Sequence, residues 1–278
     1  MLGIILALVA SICWAFNSIA YKKGVSEVSV FTANFHRTLF ATLYFLPFAI
    51  VDLPNSHFDL ETIAVLIVSA VLSFYIGDLS YMAALKRAPV SVALPASSTY
   101  PVYVVLLSTV IYGATLKPNT LLSALLVILA VYVIYGKKNG DISPSGLFFA
   151  LFAAISWALA ILTLDFLSDR LPISVLAFTR MLFCLLLLSI TAKRSEIKNR
   201  DSTIYAGIIG GFLSFAGIAV FITAIKLSAS WNVVQPSAAS PVFSALLAVV
   251  LLKEKVDLRL AVGIGIVVFS ILLLLLQP

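Results

Sequence analysis

Cysteine and histidine are nearly absent: the 278-residue chain has two of each. Cys13 and Cys184 both fall inside long apolar runs, with no ligand-like spacing around them, so neither a disulfide framework nor a metal site is expected. With only His36 and His57 there is no H-E-x-x-H, and no cofactor is called for. No G-x-x-x-x-G-K-[ST] occurs, so the chain does not itself hydrolyse ATP through a P-loop. The paired Ser/Lys or Asp/Asp set of an intramembrane hydrolase is not evident either. Charge is scarce as well, at 11% of residues, against about 25% in soluble domains. The net charge of +6 comes from short loops, which excludes a basic face for nucleic acid.

What fills the chain is apolar. Hydrophobic residues make up 62% and the mean hydropathy is +1.13. Crossing about 30 Å of hydrocarbon takes about 20 apolar residues as helix, and lipid permits only helices or closed barrels. The runs are too long for barrel strands, so an all-α membrane protein is expected. Ten spans are predicted, near 2–21, 31–51, 62–85, 90–112, 119–135, 146–167, 173–192, 203–226, 231–252 and 258–276. Short connections such as Lys22-Lys23-Gly24 and Asp52-Leu53-Pro54-Asn55 separate them. The first run lacks a positive n-region and is too long for a typical secretory signal.

The chain also resembles itself. A shift of 143 positions lays "GIILALVASICWAF" on "GLFFALFAAISWAL" and "FHRTLFATL" on "FTRMLFCLL". Over residues 3–43 there are 12 identities in 41 gapless pairs, with Trp14 on Trp157 and Arg37 on Arg180. Apolar identities come cheaply, whereas a coincident Trp and Arg do not. Further on the shift is 140, and Gly77 meets Gly217, Ser97 meets Ser237, and Pro101 meets Pro241. Two five-helix repeats are therefore predicted, 1–138 and 144–278. Five crossings are odd, so the second repeat enters from the opposite side. Inverted repeats around a central site are the plan of many secondary transporters.

Several residues carry a family resemblance. They are the A-x-x-W-A near the start of each half, the basic residue early in each second helix, and the closing "SAASPVFSALLAVVLLKEKVDLRLAVGIGIVV" with Pro241, Glu254 and Gly263. On these the chain resembles the EamA-type branch of the drug/metabolite transporter (DMT) superfamily over essentially its whole length. The first copy departs from the pattern, because "IYGATLKPNT" has no glutamate after Gly113. The resemblance implies import or export of small metabolites, often amino acids or amphipathic drugs, across the plasma membrane. One chain holds both repeats, so a monomer in the bilayer suffices. An organophosphate or nucleotide-sugar exchanger of the same superfamily, an intramembrane enzyme and a non-transporting membrane partner are the alternatives.

Intramembrane polar residues supply the candidate site. Trp14, Asn17 and Tyr21 recur at i, i+3, i+7, one helical face. Tyr75, Asp78 and Tyr81 share a face in the third span, and a carboxylate within a span is a functional candidate by default. Trp157 follows from Trp14 by repetition. In the fourth and ninth spans Pro95, Pro101, Pro236 and Pro241 predict interrupted helices. Ser97, Tyr100, Asn232, Gln235 and Ser237 interleave with them as cavity candidates; kinked packing alone is the alternative. The bland function for Arg37 and Arg180 is snorkelling or tying helices together, and the sharper one is contact with an anionic group. Arg37 starts about 9 Å into its helix at 1.5 Å per residue. The expectation adopted is that both arginines are structural or gating and that Asp78 lies nearer the pocket. Because the fourth and ninth spans carry no cation where a pocket should be, a neutral or zwitterionic solute is expected over an organophosphate. Outside Arg37 and Arg180, odd-numbered loops hold 13 Lys and Arg and even-numbered loops 3. The positive-inside rule then puts both termini outside, whereas the resemblance implies cytoplasmic termini.

Overall fold

Twelve helices account for most of the chain in the computed structural model, which describes residues 1–115, 117–135, 143–252 and 258–275. They are α1 (Leu2–Gly24), α2 (Val30–Asp52), α3 (Leu60–Arg87), α4 (Val90–Ser97), α5 (Tyr100–Tyr112), α6 (Pro118–Tyr135), α7 (Pro144–Arg170), α8 (Ile173–Thr191), α9 (Arg200–Leu227), α10 (Ser230–Ser237), α11 (Ser240–Leu252) and α12 (Leu258–Leu275). Among the described residues there is no strand. Among the described residues seven helices are long and apolar enough to cross a membrane, counting Val92–Tyr112 as one; the apolar stretches Pro118–Ala130 and Ala261–Ser270 are shorter. This is an all-helical, multi-pass membrane protein. The junction at 136–142 and the motif residues Lys253, Glu254 and Lys255 lie outside the described residues.

Local chemistry explains the helix boundaries. Ser29 starts α2 by accepting from the Thr32 N–H, and Asp59 starts α3 by accepting from the Thr62 N–H at 2.7 Å. Such side-chain caps satisfy N–H groups that the helix cannot. The interrupted helices predicted from the prolines are present. Pro95 lies in the last turn of α4 and Pro236 in the last turn of α10. Pro101 and Pro241 open the first turn of α5 and α11, where a missing N–H costs nothing. At both breaks the carbonyls of the closing turn are taken by serine hydroxyls: Ser97 and Ser98 donate to Leu94 O, and Ser237 donates to Val234 O at 2.8 Å. The α4–α5 pair and the α10–α11 pair have the same bounds 140 positions apart, from Val90 and Ser230 to Tyr112 and Leu252.

In α3, Val71–Gly77 is wound as a wider π turn. Such turns release carbonyls from the helical ladder, and here the neighbours collect them. Asn34 Nδ2 donates to Phe74 O at 2.7 Å, and Ser156 Oγ donates to Leu72 O at 2.7 Å. The π turn thus locks α3 to α2 and α7.

Packing pairs the helices in a crossed pattern. α1 lies along α9, α3 along α7, α2 along α8, and α6 along α12. Small residues let them approach. A Cβ on Gly77 would stand 2.5 Å from Trp157 Cδ1, and one on Gly217 would stand 3.1 Å from Trp14 Nε1. Gly207 and Gly211, a G-x-x-x-G in α9, seat against Phe40 and the Ala41 N–H of α2, as close-packing motifs do. At the far end of α3, Lys22 donates to Leu85 O and Ala88 O, and Lys86 Nζ donates to Val28 O at 2.7 Å. These bonds tie α1 and the α1–α2 turn to the end of α3.

Candidate functional site

Where α1, α3, α7 and α9 converge, with the breaks of α4 and α10–α11 beside them, lies a partly open cavity of about 130 Å³. α1 contributes Trp14, Asn17, Ser18 and Tyr21; α3 contributes Ser73, Phe74, Asp78 and Tyr81. The α4–α5 break adds Ser97, Ser98 and Tyr100, and α7 adds Trp157, Ile161 and Leu164. Ser214, Ile218, Phe221 and Ile222 come from α9, and the two arginines reach in from α2 and α8.

The charges form one cluster. Arg37 Nη2 stands 2.8 Å from Asp78 Oδ2, with Arg37 1% exposed and Asp78 13% exposed. Trp157 Nε1 donates to the other carboxylate oxygen at 3.0 Å. Arg37 also donates from Nε to Asn34 Oδ1 at 2.8 Å and from Nη2 to Thr38 Oγ1 at 3.1 Å. Both guanidinium groups lie over the Phe74 ring, Arg37 at 5.3 Å and Arg180 at 4.6 Å from its centroid. Phe74 thus serves both as a cation–π platform and, through its carbonyl, as the anchor for Asn34. Removing either charge from such a desolvated set would leave its partner unpaired, which is why buried ions come in pairs.

A second network is neutral. Ser214 Oγ accepts from Asn17 Nδ2 at 3.2 Å and shares a hydrogen bond of 2.6 Å with Tyr21 OH. Tyr81 OH donates to Ser18 Oγ at 2.8 Å. Asn17 Oδ1, buried, has no hydrogen-bond partner. Among the described residues no group of three or more His, Cys, Asp or Glu could hold a metal.

Eight of the expected cavity residues stand on its wall: Trp14, Asn17, Tyr21, Asp78, Tyr81, Ser97, Tyr100 and Trp157. Four stand off it. Tyr75 was placed on the face of Asp78 by α-helical spacing, but the π turn that holds it lengthens the local period, and Tyr75 packs against Phe31 instead. Gln235 turns to α6, donating to Thr120 O at 3.3 Å and to Trp231 O at 2.9 Å. Asn232, half-buried a turn earlier on α10, is likewise absent from the wall. Ser237 lies one bond behind the wall, 2.7 Å from Tyr100 OH. The separation of roles expected for the charges also differs in the structure: Arg37 and Asp78 are bonded to each other, and both arginines line the cavity. Ser214, Ser18 and Phe74 were not anticipated. Ser214 had a readable signal, since it stands three residues before Gly217 in a greasy span, but Phe74 among nineteen phenylalanines had none.

Comparison with known proteins places the chain in a family. Residues 1–136 and 144–276 match the model of the EamA-like transporter family. The chain belongs to the EamA-like family. An uncharacterized transporter of Archaeoglobus fulgidus is 63% identical to this EamA-like chain over 279 residues, covering 100% of it and 99% of the relative. One solved crystal structure shares the fold with a TM-score of 0.75, covering 98% of this chain and 95% of the other at 17% identity.

Proposed function

We propose that this EamA-like chain is a secondary transporter of small neutral or zwitterionic metabolites, amino acids among them. It works by alternating access around the central cavity, with neither ATP hydrolysis nor covalent chemistry. The observation that carries the proposal is an exchange of contacts between the halves. Trp14 of the first half packs on Gly217 of the second, while Trp157 of the second packs on Gly77 of the first. Both tryptophans line the cavity. The same exchange appears in the pairing of α1 with α9 and α3 with α7, and in the identical bounds of the broken helices 140 positions apart. We read these as two inverted five-helix repeats, 1–138 and 144–278, making ten spans with the cavity at their interface. Rocking one repeat against the other would open such a cavity to each face in turn.

The cavity's composition supports the solute class. Its wall combines aromatic rings with serine, tyrosine and asparagine groups, and its carboxylate is already paired with one of its two arginines. We place the protein in the plasma membrane, sufficient as a monomer, with the Lys/Arg-rich odd loops cytoplasmic. Proteoliposome uptake of radiolabelled amino acids, sugars and triose phosphates tests the function. Amino-acid flux is expected, and triose-phosphate exchange without it would overturn the assignment.

A further inference from the structure

We infer that Arg180 is the receptor for the carboxylate of the transported zwitterion, so that the cavity selects small amino acids, and binds monocarboxylates as their analogues, over amines, sugars and phosphates. This deepens the assignment of the cavity as the transport site and rests on it.

The two arginines differ in how far they are satisfied. Arg37 is committed to Asn34, Thr38 and Asp78 at 2.8, 3.1 and 2.8 Å. Arg180 is 2% exposed, yet its Nε has no hydrogen-bond partner. Among the described residues no carboxylate lies within ion-pair distance of it. The Phe74 ring lies beneath its guanidinium carbon at 4.6 Å but supplies no hydrogen-bond acceptor. A buried donor without an acceptor is costly, and an ordered water or a ligand would satisfy it. Arginine's rigid fork of N–H groups matches a carboxylate with two parallel hydrogen bonds.

Charge and size narrow the solute further. Two guanidinium groups and one carboxylate face the cavity, leaving one positive charge uncompensated. A carboxylate supplies the missing counter-charge, in full for a monocarboxylate and locally at Arg180 for a zwitterion. A phosphate dianion would leave a negative charge without a partner in a desolvated site, and an amine without a carboxylate would add to the positive excess. The volume of about 130 Å³ is close to the roughly 150 Å³ of an apolar cavity that holds benzene. Solutes of about six to eight non-hydrogen atoms therefore fit, the size of valine or isovalerate.

The test uses the full-length protein in detergent and in proteoliposomes, with L-valine, isovalerate, isovaleramide and isobutylamine as probes. Calorimetric titration should show valine and isovalerate binding at least about tenfold more tightly than isovaleramide or isobutylamine, the change expected when one charge-assisted hydrogen bond is lost. Arg180→Gln should weaken isovalerate at least about tenfold and abolish its preference over isovaleramide. Arg180→Lys, a point charge without the fork, should retain part of that preference. Should Arg180→Gln fail to fold, Arg180→Lys and the wild-type selectivity still decide the matter. Equal binding of isovalerate and isovaleramide, no binding of any carboxylate probe, or an Arg180→Gln protein with wild-type selectivity overturns the assignment. Selective carboxylate binding without flux would support Arg180 and defeat the transporter assignment. Flux of a solute without a carboxylate, and without selectivity, would do the reverse.

Discussion

Replacing Asp78 with asparagine removes one charge and changes little else in shape. The new side-chain amide could still accept, through its carbonyl oxygen, from Trp157 Nε1, which now bonds Asp78 Oδ1 at 3.0 Å. What is lost is the 2.8 Å ion pair to Arg37, a side chain only 1% exposed. Arg37 keeps Asn34 and Thr38 as acceptors, so those donors stay bonded while its charge goes uncompensated. The loss of a hydrogen bond to a charged group is worth about 1.5–3 kcal/mol, and breaking a buried ion pair from one side costs about 3–5 kcal/mol. The cavity would also hold two guanidinium groups over the same ring with no anion. We therefore expect a destabilisation of about 3 kcal/mol or more. At roughly 2–4 °C per kcal/mol for chains of this size, Tm should fall by about 6 °C or more in thermal unfolding of the detergent-solubilised protein. The double variant Arg37→Met/Asp78→Asn restores the original net charge and should recover much of the loss, with a coupling of about 2 kcal/mol or more across the cycle. Additivity within about 0.5 kcal/mol, the behaviour of independent sites, would refute the pair as a stabilising unit. It would return Asp78 to the separate role, nearer the pocket than the arginines, that its sequence position first implied.

Gly77→Ala should cost about 1–3 kcal/mol through overpacking, because the new methyl meets the Trp157 indole at 2.5 Å and Leu72 O at 2.9 Å. Gly217→Ala, whose nearest contact is 3.1 Å, should cost less. Unchanged stability and tryptophan emission in Gly77→Ala would show that the indole is not held there. Outside the membrane-spanning helices, the Glu196 carboxyl feels a slight upward push from burial. It is nevertheless drawn from an ordinary 4.5 down to about 2 by the Ser29 N–H, the Ser29 and Thr32 hydroxyls and Lys193. A depressed carboxylate stabilises the fold above its unfolded pKa, and that contribution is lost as pH falls from about 4.5 toward 2. Glu196→Gln should therefore flatten the Tm–pH profile in that window, and an identical acid profile would count against the contact. A cysteine added after Pro278 should be labelled by an impermeant reagent in intact cells, while protection would place the termini in the cytoplasm.

Much of the architecture was legible because it rests on local chemistry. The breaks after Ser97 and Ser237 follow from prolines whose missing N–H and ring clash act within one turn. The coincidence of Trp14 with Trp157 and of Arg37 with Arg180 pointed to self-similarity between the halves before any helix was placed. The pairing of Arg37 with Asp78 was not legible, since 41 positions separate them and nothing in either segment encodes the register of α2 against α3. Tyr75 failed for a different reason. Its spacing from Asp78 was read at about 3.6 residues per turn, and "VLSFYIG" carries no proline or paired glycine to announce the wider winding.

The two halves of the sequence also diverge where one matched position in each does opposite work. Under the 143-residue shift Lys22 meets Asp165. Lys22 donates to Leu85 O and Ala88 O, at the carboxyl end of α3, where a cation suits the exposed carbonyls and the helix dipole. Asp165 accepts from the Ser230 N–H at 2.8 Å, at the amino end of α10, where an anion suits the exposed N–H groups. Each therefore braces the joint between the third and fourth predicted spans of one half, from opposite sides of that joint and with opposite charge. An exchange of the two charges tests whether the braces are local. Lys22→Asp alone should set a carboxylate against carbonyls, and Asp165→Lys alone an ammonium against an N–H, each lowering Tm. If the braces act only on their own joints, the double exchange should be as damaging as the sum of the single changes. A double exchange that recovers stability would show instead that Lys22 and Asp165 compensate each other across the molecule, and the local assignment would fall.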